Sequence, residues 1–75
     1  MALIDMKEKA TESDAFRFRM MGAAAPVIVA VSRAAAQLAG GFHNNRPHFA
    51  AVASAKHSKG GLEPNGTVFI DPADL

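Results

Sequence analysis

Seventy-five residues without a cysteine, with a net charge of +1 and 16 alanines in an apolar fraction of 49%, allow one small domain at most. They exclude a disulfide framework, a thiolate metal site and a thiol nucleophile. The large apolar side chains are few, at five Phe, four Met, four Leu, three Ile and five Val. The composition therefore predicts little independent core and a chain that finishes its packing against a partner.

Residues 1–13 mix charges behind a short apolar lead of Met1, Leu3, Ile4 and Met6, and read as an N-terminal arm or a short helix. Ser13 is an acceptable helix start. A helix over residues 14–25 would place Phe16 and Met20 on one face. The competing reading is a strand, because Phe16-Arg17-Phe18-Arg19-Met20 alternates apolar and basic with period two. The helix is preferred because good helix formers follow without interruption.

Pro26 removes a backbone donor and predicts a break or kink near Ala24. Residues 26–39 are the longest apolar stretch and read as an alanine-rich central helix, with Val27, Ile28, Val31 and Leu38 as its contact stripe. Four β-branched residues between Val27 and Val31 favour a strand locally. The alanines of 34–36 and the Gly40-Gly41 stop favour helix over the whole length. A membrane span over residues 20–42 is disfavoured by Arg33 near its centre and by its polar and glycine content. The acids upstream argue against a secretory signal.

Pro47 opens a helix over residues 47–59 that carries Phe49 and Val52 on one face and ends in Lys56, His57 and Lys59 before Gly60-Gly61. Glu63-Pro64-Asn65-Gly66 has proline and glycine where a type I turn places them. Thr67 to Ile70 is the clearest short strand. With no partner strand of similar quality in the chain, Val68 and Ile70 are expected to pair with a neighbour's sheet edge or to pack as an extended tail within residues 60–75. The predicted fold class is thus mainly α: two or three short helices broken near Pro26, one C-terminal strand or tail, and little core of its own.

No acid lies between Asp14 and Glu63, whereas Arg17, Arg19, Arg33, Arg46, Lys56 and Lys59 all do. Such a basic middle could meet phosphates or an acidic partner, while the simpler and preferred reading is that cations scattered along this stretch keep an alanine-rich surface soluble. His43, His48 and His57 are spaced unlike a compact metal site, and Ser32, Ser54 and Ser58 lack the glycines of a nucleophile elbow. Asn65-Gly66-Thr67 matches a glycosylation acceptor without a convincing secretory signal. No catalytic, metal or cofactor residue is assigned, and no small-molecule substrate is expected.

The sequence predicts a non-enzymatic structural or interaction subunit ordered within a larger assembly, with a minor capsid or tail accessory protein of a phage-like virion as the specific instance. Protein partners would contact Val27, Ile28, Val31, Leu38, Phe16, Met20, Phe49, Val52, Val68 and Ile70. The alternatives are a small basic helical nucleic-acid-binding or regulatory protein and a single-span membrane subunit. A soluble or assembly-bound location, cytoplasmic or virion rather than secreted, follows from the same features.

Overall fold

The period-two pattern at Phe16 decides the architecture. On a helix, at about 100° per residue, Phe16 and Phe18 would point about 200° apart and the two arginines would fall between apolar positions. On a strand all three apolar side chains share one face and both arginines the other. In the computed structural model, which describes residues 3–75, this segment is a strand. Five strands form one mixed sheet: β1 (Ile4–Asp5), β2 (Thr11–Glu12), β3 (Ala15–Met21), β4 (Pro26–Ser32) and β5 (Val68–Ile70). Two helices, α1 (Arg33–Ala39) and α2 (Arg46–Ser58), accompany it, with single 3-10 turns at His43–Asn45 and Pro72–Asp74. The mainly α expectation is therefore wrong.

β3 and β4 form an antiparallel hairpin, in register from Ala15 opposite Ser32 to Met21 opposite Pro26. The break near Pro26 is real, but it is a turn between strands and not a kink in a helix. The Gly22 N–H donates to the Ala25 carbonyl at 3.1 Å. A Cβ on Gly22 would sit 3.0 Å from that same oxygen, so the turn closes at this distance only around glycine. Pro26 occupies the first position of its strand, where a missing N–H is tolerated.

Residues 26–39 are not one helix. Their β-branched half is β4, and only the alanine-rich half is helical. Ser32, extended at ψ 152°, accepts the Ala35 N–H on its Oγ at 3.1 Å and starts α1. Gly40, at φ 96°, ends it in the left-handed region. The chain then turns into α2, which the sequence placed to within one residue, and returns as β5 parallel to β4, with Val68 opposite Val29 and Ile70 opposite Val31. Val68 and Ile70 thus find their partner strand inside the chain and not on a neighbour. The N-terminal arm is also partly strand, because β1 and β2 both pair antiparallel with β3 along its other edge. Met1 of the predicted apolar lead lies outside the described residues.

The inward positions of β3, β4 and β5 are apolar, Asp5 and Glu12 share that side at the margin of the sheet, and both helices lie over it. Phe18, Met20, Val29, Val31, Val68 and Ile70 pack with Phe42, Phe49, Ala35, Ala36 and Ala53 in one cluster. Phe42 is its aromatic centre. Its ring stacks on Phe16 at 4.7 Å between centroids and on Phe49 at 5.8 Å, and tilts against Phe18 at 5.7 Å. Such contacts add about 0.5–1.5 kcal/mol per pair beyond the area they bury. The alanines let α1 and α2 approach the sheet closely, so a sparse set of large side chains still fills the space between layers. The Cα radius of gyration of 11.0 Å equals the roughly 11 Å of a compact domain of 75 residues. The expectation of little independent core fails for this reason.

Candidate interaction face of the sheet

Because both helices cover one face, the opposite face of the sheet is left open. Strand alternation assigns its residues: Ile4 on β1, Thr11 on β2, Arg17, Arg19 and Met21 on β3, Ile28 and Ala30 on β4, and Phe69 on β5. The registers arrange them in rows. Ile4, Met21 and Pro26 lie side by side at the hairpin end, Arg19 lies beside Ile28, and Arg17, Ala30 and Phe69 form the next row. Ile4, Met21 and Ile28 are 68%, 41% and 47% exposed. Three large apolar side chains adjoining one another in solvent are unlike the scattered single ones of an ordinary surface.

Two segments rise as walls at the sides of this face. The turn at residues 63–66, closed by the Gly66 N–H on the Glu63 carbonyl at 2.8 Å, bounds a concavity of about 360 Å³ over Arg17, Ala30 and Phe69. The turn is where the sequence put it. On the other side, Glu8, Lys9 and Thr11 bound a second concavity of about 320 Å³ over Arg17, Arg19 and Ile28. Arg17 lines both, so the two are halves of one shallow trough that runs across the sheet.

The charges of the trough are mostly matched within the chain. Arg19 donates from Nε and Nη2 to the two carboxylate oxygens of Glu8 at 2.7 and 2.6 Å. Arg17 Nη1 donates to Asp14 at 2.9 Å. The hydrogen bond from Arg17, helped by the Ser13 hydroxyl, pulls the Asp14 carboxyl down to about 2, and the Arg19 bond likewise holds Glu8 below the usual carboxylate range. Away from the trough, Arg46 grips Asp5 with Nε and Nη2 at 2.8 and 2.9 Å while its guanidinium lies 4.7 Å from the Phe18 ring centre. Lys56 Nζ donates to Asp74 at 2.9 Å and to the Phe69 carbonyl at 2.6 Å. That second bond occupies a carbonyl of the edge strand, a way of blunting a sheet edge against further pairing.

The acid-free middle of the sequence therefore meets the acidic ends in space. Of the six basic residues proposed for phosphate contact, Arg17, Arg19, Arg46 and Lys56 are committed to intrachain carboxylates. Arg33 donates to the Ser13 carbonyl at 2.7 Å and sits 5.5 Å from the Phe16 ring centre. Lys59 follows the end of α2 and is exposed. The six do not converge on one surface; Arg17 and Arg19 share the open face, and the others lie elsewhere.

The proposed partner contacts divide in the same way. Met20, Val31, Phe49, Val68 and Ile70 are buried in the chain's own core, and Phe16, Val27 and Val52 pack against it, half-buried. They are corrected from interface to core, since the apolar faces they were assigned meet one another. Ile28 and Leu38 remain exposed, but a strand and a separate helix now hold them, so they form no common stripe. Ile4, Met21, Lys9 and Glu63 belong to the open face and were missed. The signal for Met21 was the alternation that put Arg17 and Arg19 outward; Ile4, Lys9 and Glu63 reach the face only through long-range pairing and had no local signal.

Among the described residues no group of histidine and carboxylate side chains is placed to hold a metal ion. His43 lies 3.6 Å from Glu12 and edge-on to Phe16 and Phe42, whereas His57 lies by the hairpin turn. No helix among the described residues is long and apolar enough to cross a membrane; residues 20–42 are divided between a hairpin and α1. No protein-family model matches the sequence, and neither the curated proteins nor the solved structures compared with it include a significant match.

Proposed function

We propose that the chain is a non-enzymatic interaction subunit that docks a protein partner on the open face of its sheet. One observation carries this reading: Ile4, Met21 and Ile28 adjoin in solvent at one end of a walled trough, on a molecule whose other large apolar strand side chains are buried or half-buried. A folded chain gains nothing from this exposure, and contiguous apolar surface of this kind marks interaction sites. The weak-core argument for an assembly partner falls away, because the core closes within the chain; an exposed face takes its place. The nucleic-acid alternative is disfavoured, since four of its six cations are matched by the chain's own acids.

The reading is tested by cross-linking in the cells that make the protein, comparing Ile28→Asp with Leu38→Asp. Both sites are exposed, so both variants keep the fold. Ile28→Asp is expected to abolish the protein cross-links of the wild type, and Leu38→Asp, on α1, to retain them. Cross-links that survive Ile28→Asp and vanish with Leu38→Asp would place docking on the helical side instead.

A further inference from the structure

Resting on that reading, we infer that the occupant of the open face is a second copy of this chain, packed face to face about a two-fold axis that runs along the β3–β4 hairpin. Two features of the face lead to this partner.

Charge comes first. Of the charged side chains lining the trough, Glu8 is paired with Arg19 and Arg17 with Asp14. Lys9 and Glu63 have no ion-pair partner among the described residues, and they carry opposite signs on opposite walls. A two-fold axis above the open face, parallel to the sheet and to the strands, sets each wall over the other wall of its mate. Lys9 of each copy then faces Glu63 of the other, twice in one dimer. With Asp14 included, three acids and three bases share the face. It is neutral, so it neither repels itself nor recruits a strongly charged partner.

Apolar overlap comes second. The same axis leaves the hairpin end over the hairpin end, so Met21 and Ile28 of one copy adjoin Met21 and Ile28 of the other, as an isologous contact requires. Edge-to-edge pairing is the poorer route, since β5 has three residues and the Phe69 carbonyl is taken by Lys56.

Sedimentation equilibrium on the full chain tests this. The wild type is expected to dimerise below about 100 μM, an association of the strength transient interfaces reach. Ile28→Asp should weaken it at least a hundredfold. Lys9→Glu and Glu63→Lys singly set like charges opposite each other and should each weaken it about tenfold, a loss typical of misplaced like charges at an interface. The double variant Lys9→Glu/Glu63→Lys should return to within about threefold of wild type, because the swap restores both pairs. All four variants change exposed residues, and unchanged thermal melts confirm that they fold. A wild type that stays monomeric at about 1 mM, a dimer indifferent to Ile28→Asp, or a double swap no better than the single reversals overturns the second copy as occupant. A monomeric chain whose cellular cross-links still depend on Ile28 would overturn this inference alone and leave the open-face reading standing.

Discussion

Replacing Phe49 by alanine is expected to remove most of the stability of the fold. Its side chain is fully buried on α2, stacked on Phe42 and enclosed by the sheet. Truncations of this kind cost about 3–5 kcal/mol, the sum of lost transfer energy and the cavity left behind. A chain of this length has a total stability of roughly 4–11 kcal/mol. Urea titration followed by circular dichroism should show a cooperative wild-type transition and a Phe49→Ala midpoint near zero denaturant. The half-buried Val52, on the same helix, provides the comparison, and Val52→Ala should shift the midpoint far less. Equal, small effects of the two would mean that Phe49 does not sit at the centre of a packed core.

The second large effect belongs to Asp5 and Arg46. Both side chains are more than four-fifths covered, the guanidinium holds both carboxylate oxygens, and its plane rests near Phe18. Arg46→Met leaves a covered carboxylate without its counter-charge, at a cost of about 2–3 kcal/mol. The same pair governs acid sensitivity. Burial alone would raise the Asp5 carboxyl, but the hydrogen bond from Arg46 and the N–H of Lys7 outweigh it and hold the group below its ordinary value. Asp74 is lowered as well, chiefly by the N–H of Asp71 and then by Lys56. A carboxyl that is more acidic in the folded chain leaves the unfolded chain binding more protons, so stability rises with pH across that window. The contribution is complete above the unfolded carboxylate value of about 4 and is lost as the pH falls through the lower folded values. Melting temperature measured from pH 6 downward should therefore be flat at first and then fall below about pH 4, and Asp5→Asn should flatten the fall. A variant as acid-sensitive as the wild type would show that Asp5 is not held by Arg46.

The parts of this fold that were legible in the sequence are those set by neighbouring residues. The α2 helix has proline at its entrance and glycines at its exit, and the turn at residues 63–66 has its proline and glycine in place. Each of these signals acts over a few positions. The sheet was not legible because its decisive contacts are distant. Val29 pairs with Val68 across two helices, and nothing near either residue announces the other. In residues 14–32 local propensities were balanced: alanines and methionines favour helix, while alternation and β-branching favour strand. Long-range pairing broke the balance, and the period-two alternation was the better local guide. The charge pattern was misread for a related reason. Acids confined to the ends look like segregation in sequence, yet the fold brings Asp5 to Arg46, Glu8 to Arg19 and Asp74 to Lys56. The open face was hidden by the helical reading, which placed Ile28 on one stripe with buried Val31 and set Met21 apart from both.

The central claim is that residues 15–32 form a hairpin whose second strand pairs with β5 inside one chain. Backbone and nuclear Overhauser measurements by NMR on the isotope-labelled protein test it most directly. The structure predicts strand-type Cα and Cβ shifts from Ala15 to Met21 and from Pro26 to Ser32, with contacts linking Phe18 to Val29 and Val29 to Val68. Helical shifts and i to i+3 contacts running through residues 14–25 and 26–39, with no contact between Val29 and Val68, would contradict it.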